Sequence, residues 1–285
     1  MQLIPWEGRS MSIHFRLIAP VIATLCLGFG SVARAAVFVN SGAAPADIQA
    51  TVDAFRTALG ANNGVGGSFT SGRREINWDG VPNAMAAPGN LTSNFFNVNS
   101  PRGVVFSTPG SGFQVSANAG IAPIRFDNIN PSYSALFQTF SSQRLFTALG
   151  SNLLTVDFFV PGTATPGVVA GFGAVFTDVN VAGGTKFTVF LGDGTNGGQF
   201  AVPVGPAGGL SFLGLTDPLG YSRIVIQSGN AALGPNQSLN GTDVVAMDDF
   251  IFGEPIAPTP EPGSMLLTGF GCTLLLMRKR LFRLN

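Results

Sequence analysis

From residue 103 to residue 252 the chain repeats one local pattern: short runs of Val, Ile and Phe, each cut off by Pro, Gly, Asn or Asp before it reaches helical length. Runs of that kind read as β-strands bounded by turns. They predict strands at Gly103–Ser107, Phe113–Ala117, Ile124–Asp127, Leu154–Val160, Val168–Thr177, Lys186–Leu191, Ile224–Gln227 and Val244–Phe252. In Lys186–Leu191, Phe187, Val189 and Leu191 alternate with Lys186 and Thr188, which gives one buried and one wetter face. Asp193-Gly194 then supplies a turn. No unit recurs at a fixed period, so a solenoid or propeller is disfavoured.

One helix is expected ahead of the strands, at about 45–59. Pro45, Ala46 and Asp47 suit a first turn, Ile48, Val52, Phe55 and Leu59 share one face, and Gly60 ends the pattern. Such a helix packs on a domain as a cap. Asn62–Gly72, rich in Gly, Asn and Ser, reads as a loop. The fold expected is therefore all-β: a two-sheet β-sandwich of jelly-roll, Greek-key or lectin-like form, with one short N-terminal helix and a C-terminal hydrophobic helix. Charged residues make up 11% of the chain against a usual level of about 25%, and Gly (38) and Phe (25) are plentiful, which suits an extracellular β-domain.

The two ends carry apolar runs of another kind. His14 and Arg16 lead into Leu17–Gly30, followed by Ala33-Arg34-Ala35. This is the order of an export signal: charge, apolar stretch, small-residue cleavage site. The run is shorter than the roughly 20 residues a membrane-spanning helix needs, so removal after Ala35 is expected. Translation starts at Met1 or at Met11. The boundaries expected are 1–35 for the signal peptide, 36–253 for the sandwich, 254–263 for a Pro-rich linker and 264–285 for a hydrophobic tail with a basic end.

Losing both ends narrows the chemistry. Cys26 and the only histidine, His14, lie in the signal, and Cys272 lies in the tail. The middle therefore offers no thiol or imidazole, which excludes a Ser-His-Asp triad, a Cys-His pair and histidine-ligated zinc from it. It is acidic by roughly five charges and has no basic stripe, so nucleic acid is not an expected partner.

Pro260-Glu261-Pro262, an apolar run from Met265 to Met277, and Arg278-Lys279-Arg280 follow in order at the C-terminus. This arrangement resembles the PEP-CTERM sorting signal of bacterial exported proteins. The resemblance implies recognition by an exosortase-type membrane protease-transpeptidase, which removes the tail. The apolar run would insert transiently in the inner membrane with the basic cluster on the cytoplasmic side. A permanent anchor is the alternative, and the run is short for one. The expected route is Sec export, an inner-membrane-tethered precursor, then the outer surface or extracellular matrix. In the middle, Arg73–Gly80, Ser100–Phe106, Gly171–Val179 and Met247–Phe250 are similar to blocks of secreted PEP-CTERM proteins of unassigned activity. The last block is also similar to the closing strand of lectin-like, carbohydrate-binding sandwiches.

Three polar constellations could carry chemistry. Asp178 and Asn180 follow an apolar strand, and Asp248 and Asp249 interrupt the last one. Oxygen-rich turns of this sort can hold calcium, although Ala182 and Val189 break any EF-hand pattern after Asp178. Strand alternation puts Asp248 and Asp249 on opposite faces, so one needs a partner: an arginine, backbone donors or calcium. Asn77, Trp78 and Asp79 make a polar-aromatic segment in which Trp78 either anchors the core or stacks on a sugar. Glu75 with Asp79 is the one nearby acid pair containing Glu, and nothing marks it as a glycosidase pair. Asp193 and Asn196 read as turn formers. The expectation is a non-enzymatic exported surface or matrix protein that needs no cofactor, with calcium possible. The alternative is a carbohydrate-binding module, calcium-dependent or not, associated with exopolysaccharide.

Overall fold

The computed structural model describes residues 35–258, apart from 119, 122, 142 and 236–240. The predicted signal, the Pro-Glu-Pro motif and the basic tail lie outside the described residues, as do both cysteines and the histidine.

The described chain is mostly β, joined into one nearly closed antiparallel sheet. In order it contains β1 (Ala36–Gly42), α1 (Pro45–Leu59), β2 (Arg73–Ile76), α2 (Phe95–Val98), β3 (Val104–Ser107), β4 (Gly112–Val115), α3 (Tyr133–Leu136), β5 (Phe146–Leu149), β6 (Leu153–Phe158), β7 (Val169–Thr177), β8 (Lys186–Leu191), β9 (Asn196–Ala201), β10 (Leu210–Gln227) and β11 (Ala246–Gly253). α2 and α3 are single turns, so α1 is the only long helix among the described residues.

β10 organises the sheet. Its first half, Leu210–Thr216, lies between β1 and β7, and its second half, Tyr221–Gln227, lies between β6 and β8. Beyond β7 come β11 and then β2 and β5, while β9 borders β8 and β3 borders β6. The change of partners falls at Asp217-Pro218-Leu219-Gly220. The Asp217 carboxylate accepts the Leu219 N–H at 2.8 Å, and Gly220 takes φ +65°. A Cβ at Gly220 would come within 2.8 Å of the Val169 carbonyl, so glycine is required there on two counts. Leu213 and Leu215 from one half and Ile224 and Ile226 from the other enter the same core, with Trp78, Phe106, Phe146, Phe172 and Phe250.

α1 forms where the sequence predicts it. Asp47 accepts the Ala44 N–H at 2.9 Å, and the Gly60 N–H returns to Arg56 and Thr57 at the far end. Ile48, Val52, Phe55 and Leu59 are buried on Val175, Leu210, Phe212 and Ile251, so the helix caps the outer face of β7, β10 and β11. Each such side chain contributes about 1.5–3 kcal/mol by burial. Phe55 lies over Gly173 and Gly214, which pair across β7 and β10. A Cβ on either would meet the ring at 2.7–2.8 Å, so the paired glycines admit the aromatic.

Several strand expectations hold: Lys186–Leu191 matches β8, the Asp193-Gly194 turn joins β8 to β9, and β3, β6, β7 and β11 start or end within two residues of the sequence reading. Ile124–Asp127 is not a strand. Ile124 makes an isolated bridge to Ala117, and Arg125 and Phe126 take positive φ, 42° and 68°. β1, β2, β5, β9 and the first half of β10 add strands that the sequence reading lacked.

Candidate functional site

β11 is buried along its whole length, with α1 on one face and the main core on the other. A carboxylate in such a strand needs donors, and this strand carries two. The register with β7 shifts between Met247 and Phe250, so Asp248 and Asp249 together face a single residue, Val175. This is a β-bulge, and it corrects the expectation that strict alternation separates the two side chains. Both are buried, at 0% and 2% exposure.

The bulge turns both carboxyls toward Phe140 and Ser141. Asp248 accepts the Phe140 N–H at 2.6 Å, and Asp249 accepts the Ser141 hydroxyl. Asp249 also accepts from Arg56 Nη2 at 3.2 Å. Arg56 reaches from the last turn of α1 and binds Glu75 on β2 at 3.0 Å and Asp53 at 3.1 Å; Arg73 Nε completes the group on Glu75 at 2.6 Å. Helix, sheet and the 137–141 segment thus meet on one charge network.

Burial pushes the Asp248 carboxyl well above the usual range, and the neighbouring Asp249 charge pushes it further. Burial likewise raises Asp249 to about 6, partly offset by the Ser141 hydroxyl, Asp248 and Arg56. Of the two, Asp248 is the one more strongly pushed toward its protonated form, and the two carboxyls hydrogen-bond to each other. The chemistry available is proton storage and cross-linking of three elements. No substrate can reach carboxyls this deeply buried.

Trp78 borders the same network and is 1% exposed. Its ring stacks on Phe146 at 4.1 Å with a 6° tilt, and Phe96 and Phe250 meet it edge-on. Its Nε1–H donates to the Asp248 carbonyl at 2.9 Å. The core-anchor reading of Trp78 is the one the structure carries, and the sugar-stacking expectation is corrected: no face of the indole is free. The cavity beside it holds about 30 Å³, room for a water and not for a sugar ring. Asp79 accepts the backbone N–H of Gln143 and Arg144 at 3.2 Å, and Asn77 lies 3.5 Å from the Asp79 carboxylate. Glu75 is committed to two arginines and Asp79 to backbone donors, so the pair presents no joint acid-base geometry.

Asp178 and Asn180 belong to a different cluster. Asp178 accepts Asn180 Nδ2 at 2.9 Å and the Gly208 N–H at 2.7 Å, while the Asn180 N–H goes to Asp243 at 3.1 Å. Burial raises the Asp243 carboxyl, against the pull of the Asn180 and Val181 N–H groups. The four residues put forward for calcium therefore divide between two clusters, and among the described residues no three acid, histidine or cysteine groups converge as a metal site. Asp193 caps its turn through Thr195, as expected of a turn former.

Two features escaped the sequence reading. Arg74 and Glu254, 180 residues apart, form a buried pair at 2.5 and 2.7 Å, and the guanidinium also binds the Gly64, Gly66 and Gly67 carbonyls. Arg144, 1% exposed, binds the Val81 carbonyl, Asn83 and Asn118. No local signal marks either. A cleft of about 380 Å³ lies at the β10 bend between Val168, Leu219 and Ile256, with Asp193 its only ionisable side chain. Known protein families, curated proteins and solved structures contain no match to this chain.

Proposed function

We propose that this is a non-enzymatic exported protein of the bacterial surface or extracellular matrix, built around a β-sandwich domain of jelly-roll or lectin-like type. In this reading the C-terminal tail is a PEP-CTERM sorting signal processed by an exosortase-type enzyme. The observation that carries it is the order Pro260-Glu261-Pro262, apolar run, Arg278-Lys279-Arg280 at one end, opposite an export signal at the other. Two features of the domain support the reading. The halves of β10 feed one core, as the two layers of a sandwich would. The ionisable groups gathered at β11 bind one another and not a cleft.

The test is Glu261→Ala in the producing bacterium. The variant should accumulate as a membrane-associated precursor while the wild type reaches the surface fraction. Equal distribution of the two would remove the sorting reading.

A further inference from the structure

Among the described residues the sheet has an open border at β1. This strand pairs with β10 along all seven residues, and among the described residues no other backbone group bonds its outer side. Protected edges commonly carry a charge, a proline or a bulge. β1 reads Ala-Val-Phe-Val-Asn-Ser-Gly and has none of these.

Its side chains show how far the core extends. Phe38 faces α1, where it meets Phe55 at 5.3 Å, and Asn40 binds the Asp47 carbonyl and Thr51 on the same helix. Val37 and Val39 lie on the opposite face, directly across from Leu215 and Leu213. Those two leucines are buried, yet Val37 and Val39 are 53% and 49% exposed. Val204, 42% exposed, continues the apolar border, because the Ser41 hydroxyl donates to its carbonyl at 2.9 Å. The inner apolar face therefore runs one strand past its cover.

We infer that this border is a self-association surface, on which β1 of a second copy of the chain pairs antiparallel across a two-fold axis. The sequence of the strand supports this occupant. An uncharged edge meets its own copy without like-charge repulsion, and a two-fold places the same patch on both partners. Full overlap of the seven residues puts Val39 opposite its symmetry mate. It also puts each Val37 opposite a Ser41 and each Phe38 opposite an Asn40. Val37 and Val39 of both copies then share one face and cover one another, while the ladder pairs the open N–H and C=O groups of the border, apart from the Ser41 N–H, which already donates to Asn40 Oδ1 at 2.9 Å. The patch is small beside a standard interface of about 1,600 Å², so the dimer is weak and concentration-dependent. The inference does not rest on the export reading.

The test uses the full chain with Cys26→Ser and Cys272→Ser, so that Val39→Cys provides the one thiol. Mild oxidation should cross-link Val39→Cys at least about tenfold faster than Leu219→Cys, an exposed control at the β10 bend, because pairing raises the local thiol concentration. In sedimentation, the wild type should shift toward dimer as concentration rises. Val39→Lys should weaken that dimer at least about tenfold, since like charges would then face each other. Val39 is half exposed, so the lysine should leave thermal melting unchanged; Val37→Lys reads the same edge should it not. Equal cross-linking at Val39 and Leu219 would overturn the inference. So would a wild type that stays monomeric at every concentration, or a dimer that both lysine variants leave intact.

Discussion

Acidification should stabilise this protein, against the common pattern for folded domains. Asp249 titrates at about 6 in the fold against 3.8 for an ordinary aspartate. Its folded pKa is raised, so between those values the folded chain binds more protons than the unfolded chain. Stability then falls as pH rises through the window. Moving from about pH 7.5 to about pH 5 should add about 1.4 kcal/mol from Asp249 alone, and the complete shift corresponds to about 3 kcal/mol. Asp248 is raised as well, as is Asp243 in its separate cluster, and both act with the same sign. Asp53, lowered by its bond from Gln49, acts with the opposite sign, but it sits at the surface and loses its proton at lower pH. At about pH 5 ordinary carboxylates remain ionised, so the buried pair dominates the difference. Urea unfolding at the two pH values measures the effect. Asp248→Asn, which removes one buried carboxyl and keeps an acceptor for the Phe140 N–H, should raise stability at neutral pH and flatten the pH dependence. A wild type less stable at pH 5 than at pH 7.5, with Asp248→Asn unchanged in slope, would refute the protonated bulge.

Three further outcomes follow from packing. Gly173→Ala should cost about 1–3 kcal/mol in chemical denaturation, because the added methyl displaces Phe55 from its seat over the paired glycines. Glu254→Gln leaves the Arg74 charge buried without its counter-ion and should cost about 3–5 kcal/mol, with proteolysis rising in the 62–72 loop that Arg74 holds. Trp78→Ala removes the indole stacked on Phe146 and should cost about 3–5 kcal/mol, read from the thermal midpoint.

The parts of this fold that follow a single period were legible in the sequence. α1 combines a capped first turn, a 3.6-residue apolar stripe and a terminal glycine, and β8 alternates from Lys186 to Val189. What escaped depends on distant partners. β9, Asn-Gly-Gly-Gln-Phe-Ala, has little strand propensity and is extended by pairing with β8. β10 contains Pro218 and Gly220, which read as a boundary between two elements, yet a bend absorbs both and one strand serves two sets of neighbours. At the candidate site, the need for partners at Asp248 and Asp249 was readable from an apolar strand carrying two acids. Their shared side was not, because the bulge arises from the register with β7. Trp78 reads first as a core anchor, with sugar stacking as the alternative, and the rings of Phe146, Phe96 and Phe250 packed around it carry the core reading.

Mass spectrometry of the protein recovered from the cell surface or medium tests the central claim most directly. The account predicts a mature chain that begins at Ala36 and lacks the Arg278-Lys279-Arg280 end, with the loss occurring at or near Pro260-Glu261-Pro262. Recovery of surface protein with peptides covering residues 278–285 still attached, or of all the protein inside the cell with residues 11–35 in place, would contradict it.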